Sequence, residues 1–220
     1  KGRWWNMTEH DVERLRLQIP ELDVVAPVLF SGSKAAVHED YNTTAAVHGV
    51  TNDYAKINEP LMYYGRFLNE MDMKQNRKVC VIGKKVYTDL FPNGGDPCGT
   101  AIRIDSIYYE VVGVDYRTGD AISIGGRADE SVMLPISVVR KAYNRGNRVD
   151  MIALTGRGDV SMSSLALRIR QTIAREHLID PTDEQGIMVF NTEVLFGIMD
   201  SLFKGVNFLI WLVGIGTLLA

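Results

Sequence analysis

The chain has 220 residues, ordinary apolar and charged content, and a formal net charge of −3. That length holds one large or two small domains. The slightly acidic balance excludes a nucleic-acid-binding class, which calls for a basic patch.

Lys1-Gly2-Arg3-Trp4-Trp5 leads at once into an amphipathic segment. It therefore does not read as a secretory signal, which needs an apolar core. If the chain works outside the cytoplasm, an upstream membrane helix is expected to have delivered it. The two tryptophans beside Lys1 and Arg3 suit a membrane interface, and an exposed tail is the alternative. Thr8-Glu9-His10-Asp11 reads as a helix cap with first-turn acids. Val12, Leu15 and Ile19 then share a helical face, and Pro20 follows. Leu22 to Phe30, Lys34 to Glu39 and Thr44 to Val50 are three strand-like runs. Gly32 is read as separating the first two, and Tyr41-Asn42 the others. Ala35 and Val37, then Ala45 and Val47, alternate with polar neighbours, so each strand has one wet face. The opening reads αβββ. An irregular stretch from Thr51 to Leu68 and a polar segment from Asn69 to Lys78 follow.

The character of the chain changes in the middle. Val79 to Ile82 is a short buried strand, and Gly83 to Phe91 has helical spacing. Pro92 to Pro97 is dense in turn residues. Ala101 to Ile104 and Ile107 to Val114 are strands around the turn Asp105-Ser106. Arg117 to Glu130 reads as a long exposed loop, Ser131 to Pro135 as a strand and Ser137 to Asn144 as a helix. The pattern of the opening then returns: Asp150 to Thr155 is a strand, and Met162, Leu165, Ile169 and Ile173 mark a long helix. Pro181 is read as its end, and Gly186 to Phe190 as a last strand. The expected fold is α+β. Residues 1–76 and 149–191 form one discontinuous αβββ + βαβ subdomain, and 77–148 form an inserted β-rich one.

The segment from 192 to 220 is read as a stalk, with Thr192 as a cap and Glu193, Met199 and Phe203 along the helix. Its run Val206 to Ala220 carries no charge. It is shorter than the roughly 20 apolar residues a bilayer requires, and it stops in mid-pattern. It is read as the first half of a transmembrane helix. A buried C-terminal helix would usually keep a polar stripe. Cys80 sits in an apolar run and Cys98 in a turn-rich loop. A disulfide and two packed thiols both remain open.

The glycine clusters Gly94 to Thr100 and Gly125-Gly126 contain no Gly-x-x-x-x-Gly-Lys-Ser/Thr, and the first leads into a strand instead of a helix. His38 and His48 fall on neighbouring strands, but no Cys or carboxylate pattern completes a metal set. No Gly-x-Ser-x-Gly marks a nucleophile. No catalytic site, cofactor or metal is expected. The contact candidate is the long loop, because structureless loops of that length are uncommon unless functional or disordered. Ala121, Ile122, Ser123 and Ile124 give it an apolar tip, and Arg127 follows. A loop with no partner is the alternative. Tyr63, Tyr64 and Phe67 are read as hinge packing or a contact patch.

The order of blocks resembles the periplasmic domain of MacB-like ABC transporter permeases. The matching pieces are Gly49 to Tyr54, Gly65-Arg66-Phe67-Leu68 with Asp72, Val81-Ile82-Gly83, Leu90-Phe91-Pro92 and Pro97-Cys98-Gly99. Val111 to Val114 and Met133-Leu134-Pro135 complete them. The resemblance covers essentially the whole chain. It implies a porter-like subdomain with an inserted Sabre-like one, on the periplasmic side of the bacterial inner membrane. It also implies a homodimeric transporter with a cytoplasmic ATPase domain or subunit, where ATP hydrolysis would lie. A periplasmic adaptor (membrane fusion) protein and an outer-membrane exit duct are the further partners it implies. Lipoprotein-releasing and cell-division relatives belong to the same superfamily. The expected function is to contact substrate or adaptor and transmit ATP-driven motion for export. The rivals are a membrane-tethered ligand-binding sensor domain and a tethered enzyme.

Overall fold

A computed structural model describes residues 5–119, 125–182 and 187–188. The chain divides into two compact units, Lys1–Arg157 and Gly158–Ala220.

The first unit opens with strand β1 (Met7–Thr8) and helix α1 (Glu9–Gln18). The Thr8 amide donates to Asp11 Oδ2 at 2.8 Å, which occupies a donor left over at the helix start. Val12, Leu15 and Ile19 are buried along one face, as their spacing predicts. Then come β2 (Leu22–His38) and β3 (Tyr41–Val50). Two of the expected strand-like runs are thus one strand. Gly32, at φ 73°, is not a turn but sits in a bulge where the pairing register shifts between Phe30 and Ser33. The extra residue moves the inside–outside alternation by one. Ala36 is buried, whereas Ala35 and Val37 are not; Ala45 and Val47 are buried as expected. The hairpin turns at Glu39-Asp40, not at Tyr41-Asn42, with Glu39 at φ 50°. A two-residue turn needs positive φ, and no glycine or asparagine announces it here.

Helix α2 (Ala55–Asn58) and strand β4 (Met62–Gly65) occupy the stretch read as irregular. Helix α3 (Glu70–Lys74) occupies the polar one. It is capped by Asn69, whose Oδ1 accepts the Asp72 amide at 3.0 Å. Next are β5 (Val79–Gly83), α4 (Lys84–Leu90), β6 (Ala101–Ile104) and β7 (Ile107–Asp115). After them come β8 (Ser131–Pro135), α5 (Ile136–Ala142), β9 (Arg148–Val149) and β10 (Met151–Gly156). Strands β1 and β9 pair with each other. The remaining eight described strands join one mixed sheet in the order β10-β2-β3-β8-β5-β7-β4, with β6 pairing to β2 and β7. The β3–β8 and β5–β7 pairs are parallel. Within β2, Leu22 to Val28 pairs with β10, and Leu29 to His38 pairs with β3.

Each face of this sheet carries its own apolar core. One gathers Leu29, Ala45, Val47, Ile82, Val132 and Leu134 with Val86 and Leu90 of α4 and Val139 of α5. The other gathers Val24, Ala26, Val28, Val50, Tyr54, Val81 and Met133.

The second unit contains helix α6 (Met162–His177), with Leu165, Ile169 and Ile173 buried. It ends at Leu178 in the left-handed conformation, φ 51°, before Pro181 is reached. The αL cap, not the proline, closes it. The expected strand Gly186 to Phe190 lies mostly outside the described residues, and Ile187–Met188 form no strand. The expected stalk and apolar run, with Glu193, Met199 and Phe203, lie wholly outside them. No helix among the described residues is long and apolar enough to cross a membrane.

Candidate functional site

The connection from β7 to β8 is the expected contact element. Ala121, Ile122, Ser123 and Ile124 lie outside the described residues; Arg127 is described, and so are both feet of the connection.

The first foot is fixed by charge. Asp115 ends β7 with its carboxylate almost wholly buried, its side chain 4% exposed. Arg117 Nε donates to both its oxygens, at 3.1 and 2.9 Å, and Nη2 donates to Oδ2 at 2.5 Å. Arg117 Nη1 also donates to the Asn58 carbonyl at 2.6 Å and to Asn58 Oδ1 at 3.0 Å. Asp115 Oδ1 accepts the Leu61 amide at 3.1 Å. A forked guanidinium is suited to this work because its donors are planar and rigid. It ties the loop start to α2 and to the segment entering β4.

The second foot is fixed by shape. His48 of β3 and Phe30 of β2 are cross-strand partners and meet edge to face, with ring centroids 5.1 Å apart. His48 Nε2 lies 3.1 Å from the Gly125 carbonyl oxygen. Gly125 has φ 98°, and a Cβ there would stand 2.3 Å from a Phe30 ring carbon. Only glycine meets both demands. Burial lowers the pKa of His48 from the ordinary histidine value, and its bond to Gly125 offsets part of that shift. A 3₁₀ turn at Ala128–Glu130 presses on Gly83, where a Cβ would sit 2.5 Å from the Ala128 and Asp129 carbonyl oxygens. Ser131 Oγ donates to the Ala128 carbonyl at 2.8 Å.

Arg127 braces the two feet. Its guanidinium lies over Gly119 so closely that a Cβ there would be 2.0 Å from Nη2. Nε and Nη2 each reach an Asp129 oxygen at 3.1 Å, and Glu130 lies at 3.8 Å. The hydrogen bond from Arg127 holds the Asp129 carboxyl below the usual range, against the opposing effect of burial. Beside this foot runs an open groove of about 490 Å³, lined by Ser33, Thr44, Ala46, Lys85, Arg127 and Glu130 among others. Its cations are already paired: Lys85 Nζ is 3.0 Å from Asp89, and Arg127 is held as described. The groove offers hydroxyls and satisfied charges suited to a polar contact, but no activated nucleophile or paired acid and base.

The other candidates separate. His38 stacks on Phe91 at 4.5 Å, opposite Tyr41, while His48 lies seven residues further along β3. At about 3.4 Å per residue the two are roughly 24 Å apart. No group of three or more His, Cys, Asp or Glu that could hold a metal occurs among the described residues. Cys80 pairs with Val111 on one side of β7, and Gly99, next to Cys98, donates to the Val111 carbonyl from the other. Two strand spacings of about 4.8 Å put the cysteines near 10 Å apart, beyond disulfide reach. Both are free; burial pushes the Cys98 thiol up to about 11 and the Cys80 thiol higher still. Phe67 packs against the second core, whereas Tyr63 is 58% exposed and stacks on Tyr116 at 4.4 Å.

Sequence reading misses Phe30, His48 and Asp115 as residues of the site. Asp115-x-Arg117 at a strand end is a signal that could be read. Nothing local joins His48 to a glycine 77 positions away.

The family described as MacB-like periplasmic core domain matches residues 1–172. The macrolide export ATP-binding/permease protein MacB of Syntrophobacter fumaroxidans is 28% identical over 140 residues, which is 63% of this chain and 19% of that protein. The pyoverdine export ATP-binding/permease protein PvdT of Pseudomonas syringae pv. syringae is 30% identical over 121 residues, 54% of this chain and 18% of that protein. The chain thus spans about a fifth of the length of these relatives. The periplasmic region of MacB from Actinobacillus actinomycetemcomitans has the same fold, with TM-score 0.72 at 19% identity over 90% of this chain and 85% of that one. So does the extracellular domain of the ABC-type transporter YknZ from Gram-positive bacteria, with TM-score 0.68 at 16% identity over 80% and 87%.

Proposed function

The chain belongs to the MacB-like periplasmic core domain family, and on that premise we propose that it is the extracytoplasmic domain of an inner-membrane ABC exporter. In this reading it contacts substrate or a periplasmic adaptor with the β7–β8 connection. It passes ATP-driven motion between that surface and the membrane through the segment after residue 191. The observation that carries the reading is the family match over residues 1–172, in a chain whose aligned part spans about a fifth of relatives named as joint ATP-binding and permease proteins. ATP hydrolysis belongs to a cytoplasmic domain or subunit. The working unit is a homodimer joined by an adaptor and an outer-membrane exit duct.

The division into a porter-like part, 1–76 with 149–191, and a Sabre-like insert, 77–148, is part of the proposal. The pairing of Leu22–Val28 with β10, and not with a strand of the insert, supports it. The parallel pairing of β3 with β8 means that the two parts would share one sheet.

The test uses the full transporter. Proline costs a helix interior about 3 kcal/mol and kinks it. Met199→Pro is expected to leave ATP hydrolysis present and cut export sharply, while Met199→Ala is mild. Deleting 121–124 is expected to reduce adaptor crosslinking without lowering expression. If the proline variant at normal levels exports like the parent, the segment is only a tether. If the deletion leaves crosslinking intact, the contact surface is elsewhere.

A further inference from the structure

His48 is a buried titratable side chain that the proposed function leaves unused. It is 5% exposed. Its position on β3 is fixed on both sides, by Phe30 as antiparallel partner and Met133 as parallel partner. Its polar partner among the described residues is the Gly125 carbonyl. A carbonyl only accepts, so the neutral ring carries its proton on Nε2 and leaves Nδ1 bare. Gly125 is also pressed by the Phe30 ring. One glycine at the root of the connection is therefore held by a histidine and a phenylalanine that are themselves cross-strand partners.

We propose that His48 is a pH-operated catch on the second foot: the neutral ring holds Gly125 to the sheet, and protonation at Nδ1 releases Gly125 and Gly126.

Among the described residues, the surroundings offer little to a charged imidazole. From β2 comes Phe30, an apolar ring. The nearby Asp150 carboxylate accepts the Phe30 amide at 2.9 Å and is already paired with Arg145 and Arg148. From β8 come Met133 and the hydroxyl of Ser131, which is spent on Ala128. From the foot comes Arg127, committed to Asp129 and Glu130. None of these carboxylates pairs with His48 among the described residues. Desolvation is the larger influence on the ring and lowers its pKa; the Gly125 bond raises it less. The held form thus has the lower pKa and the released form the ordinary one, near 6.5. The released form binds protons more readily. The catch is fully effective above about pH 6.5 and is lost as pH falls through the lower value of the held form. Each unit of depression shifts the held-to-released ratio about tenfold.

The experiment follows hydrogen exchange across residues 125–130 of the 220-residue chain by mass spectrometry, corrected for the intrinsic pH dependence. The His48 ring is titrated by NMR in parallel. Protection is expected to fall between pH 7.5 and 5, with the midpoint of the His48 ring, below the ordinary histidine value of about 6.5. His48→Gln keeps an N–H donor but cannot titrate, so its protection is expected to be pH-independent. Equal protection at both pH values overturns the proposal, as does a fall that persists in His48→Gln. If that variant does not fold, the parent chain decides: a foot that loosens with a midpoint different from the His48 ring refutes the catch.

Discussion

Phe30 and Gly125, 95 positions apart in sequence, fit so closely that the glycine has no room for a side chain: a Cβ would lie 2.3 Å from the ring. The phenylalanine belongs to the long strand of the sheet and the glycine to the root of the β7–β8 connection. Their contact ties the connection to the sheet independently of hydrogen bonding.

Gly125→Ala should therefore destabilise the fold through both the contact and the backbone angle of 98°. The expected cost is about 1–3 kcal/mol. A double-mutant cycle with Phe30→Ala separates the two terms in urea denaturation, because removing the ring relieves the clash and leaves the backbone strain. Equal costs in both backgrounds would show that ring and glycine do not touch.

Arg117→Ala removes the partner of a carboxylate whose side chain is only 4% exposed. Stranding a buried charge typically costs about 3–5 kcal/mol. Arg117→Lys keeps the charge but loses the fork to Asp115 and Asn58, and should fall between. Thermal melts of the three proteins check the order; an alanine variant as stable as the parent contradicts this account of the first foot.

Asp72 has a fully buried side chain that accepts from Arg66 at 2.7 and 3.2 Å and from the Asn69 amide at 2.8 Å, with Arg77 at 3.7 Å. Burial alone would raise its pKa. The bonds and charges of Arg66, Asn69 and Arg77 outweigh it, and the carboxyl sits below its usual value. The folded pKa is depressed, so this contribution is present above the unfolded value of about 3.9 and is lost as pH falls through the lower folded value. Asp72→Asn should be less stable at pH 7 and should lose less stability than the parent below about pH 4. Denaturation curves from pH 7 to 2.5 test this; parallel curves would be the contrary result.

Cys80 and Cys98 flank β7 instead of facing each other. Reductant should leave the melting temperature unchanged, and in the native protein alkylation should reach Cys98 before Cys80, which is fully buried. A melting temperature that drops on reduction would mean that the two sulfurs meet.

Most single elements are legible in the sequence, because their causes are local. Thr8 with Asp11 marks the first helix, and Val12, Leu15 and Ile19 mark its buried face. The apolar run of Val79 to Ile82 marks a central strand, and Asp105-Ser106 a hairpin turn. Errors fall where the local signal is ambiguous. Gly32 reads equally as a turn or a bulge, and only pairing with β3 decides for the bulge and reverses the phase of Ala35 and Ala36. Strand β4 and helix α3 escape notice because four and five residues are too few to show a period.

The sequence by itself determined the α+β class, the absence of a recognisable nucleotide-binding motif and the position of the long connection, since composition, spacing and turn residues are properties of neighbours along the chain. Tertiary structure alone decided what holds that connection. Arg117 reaches Asn58, His48 reaches Gly125, and Phe30 leaves space for nothing but glycine. These contacts depend on which strands lie side by side. That choice is made by burying two apolar faces of one sheet at once, a property of the whole chain that no local window contains.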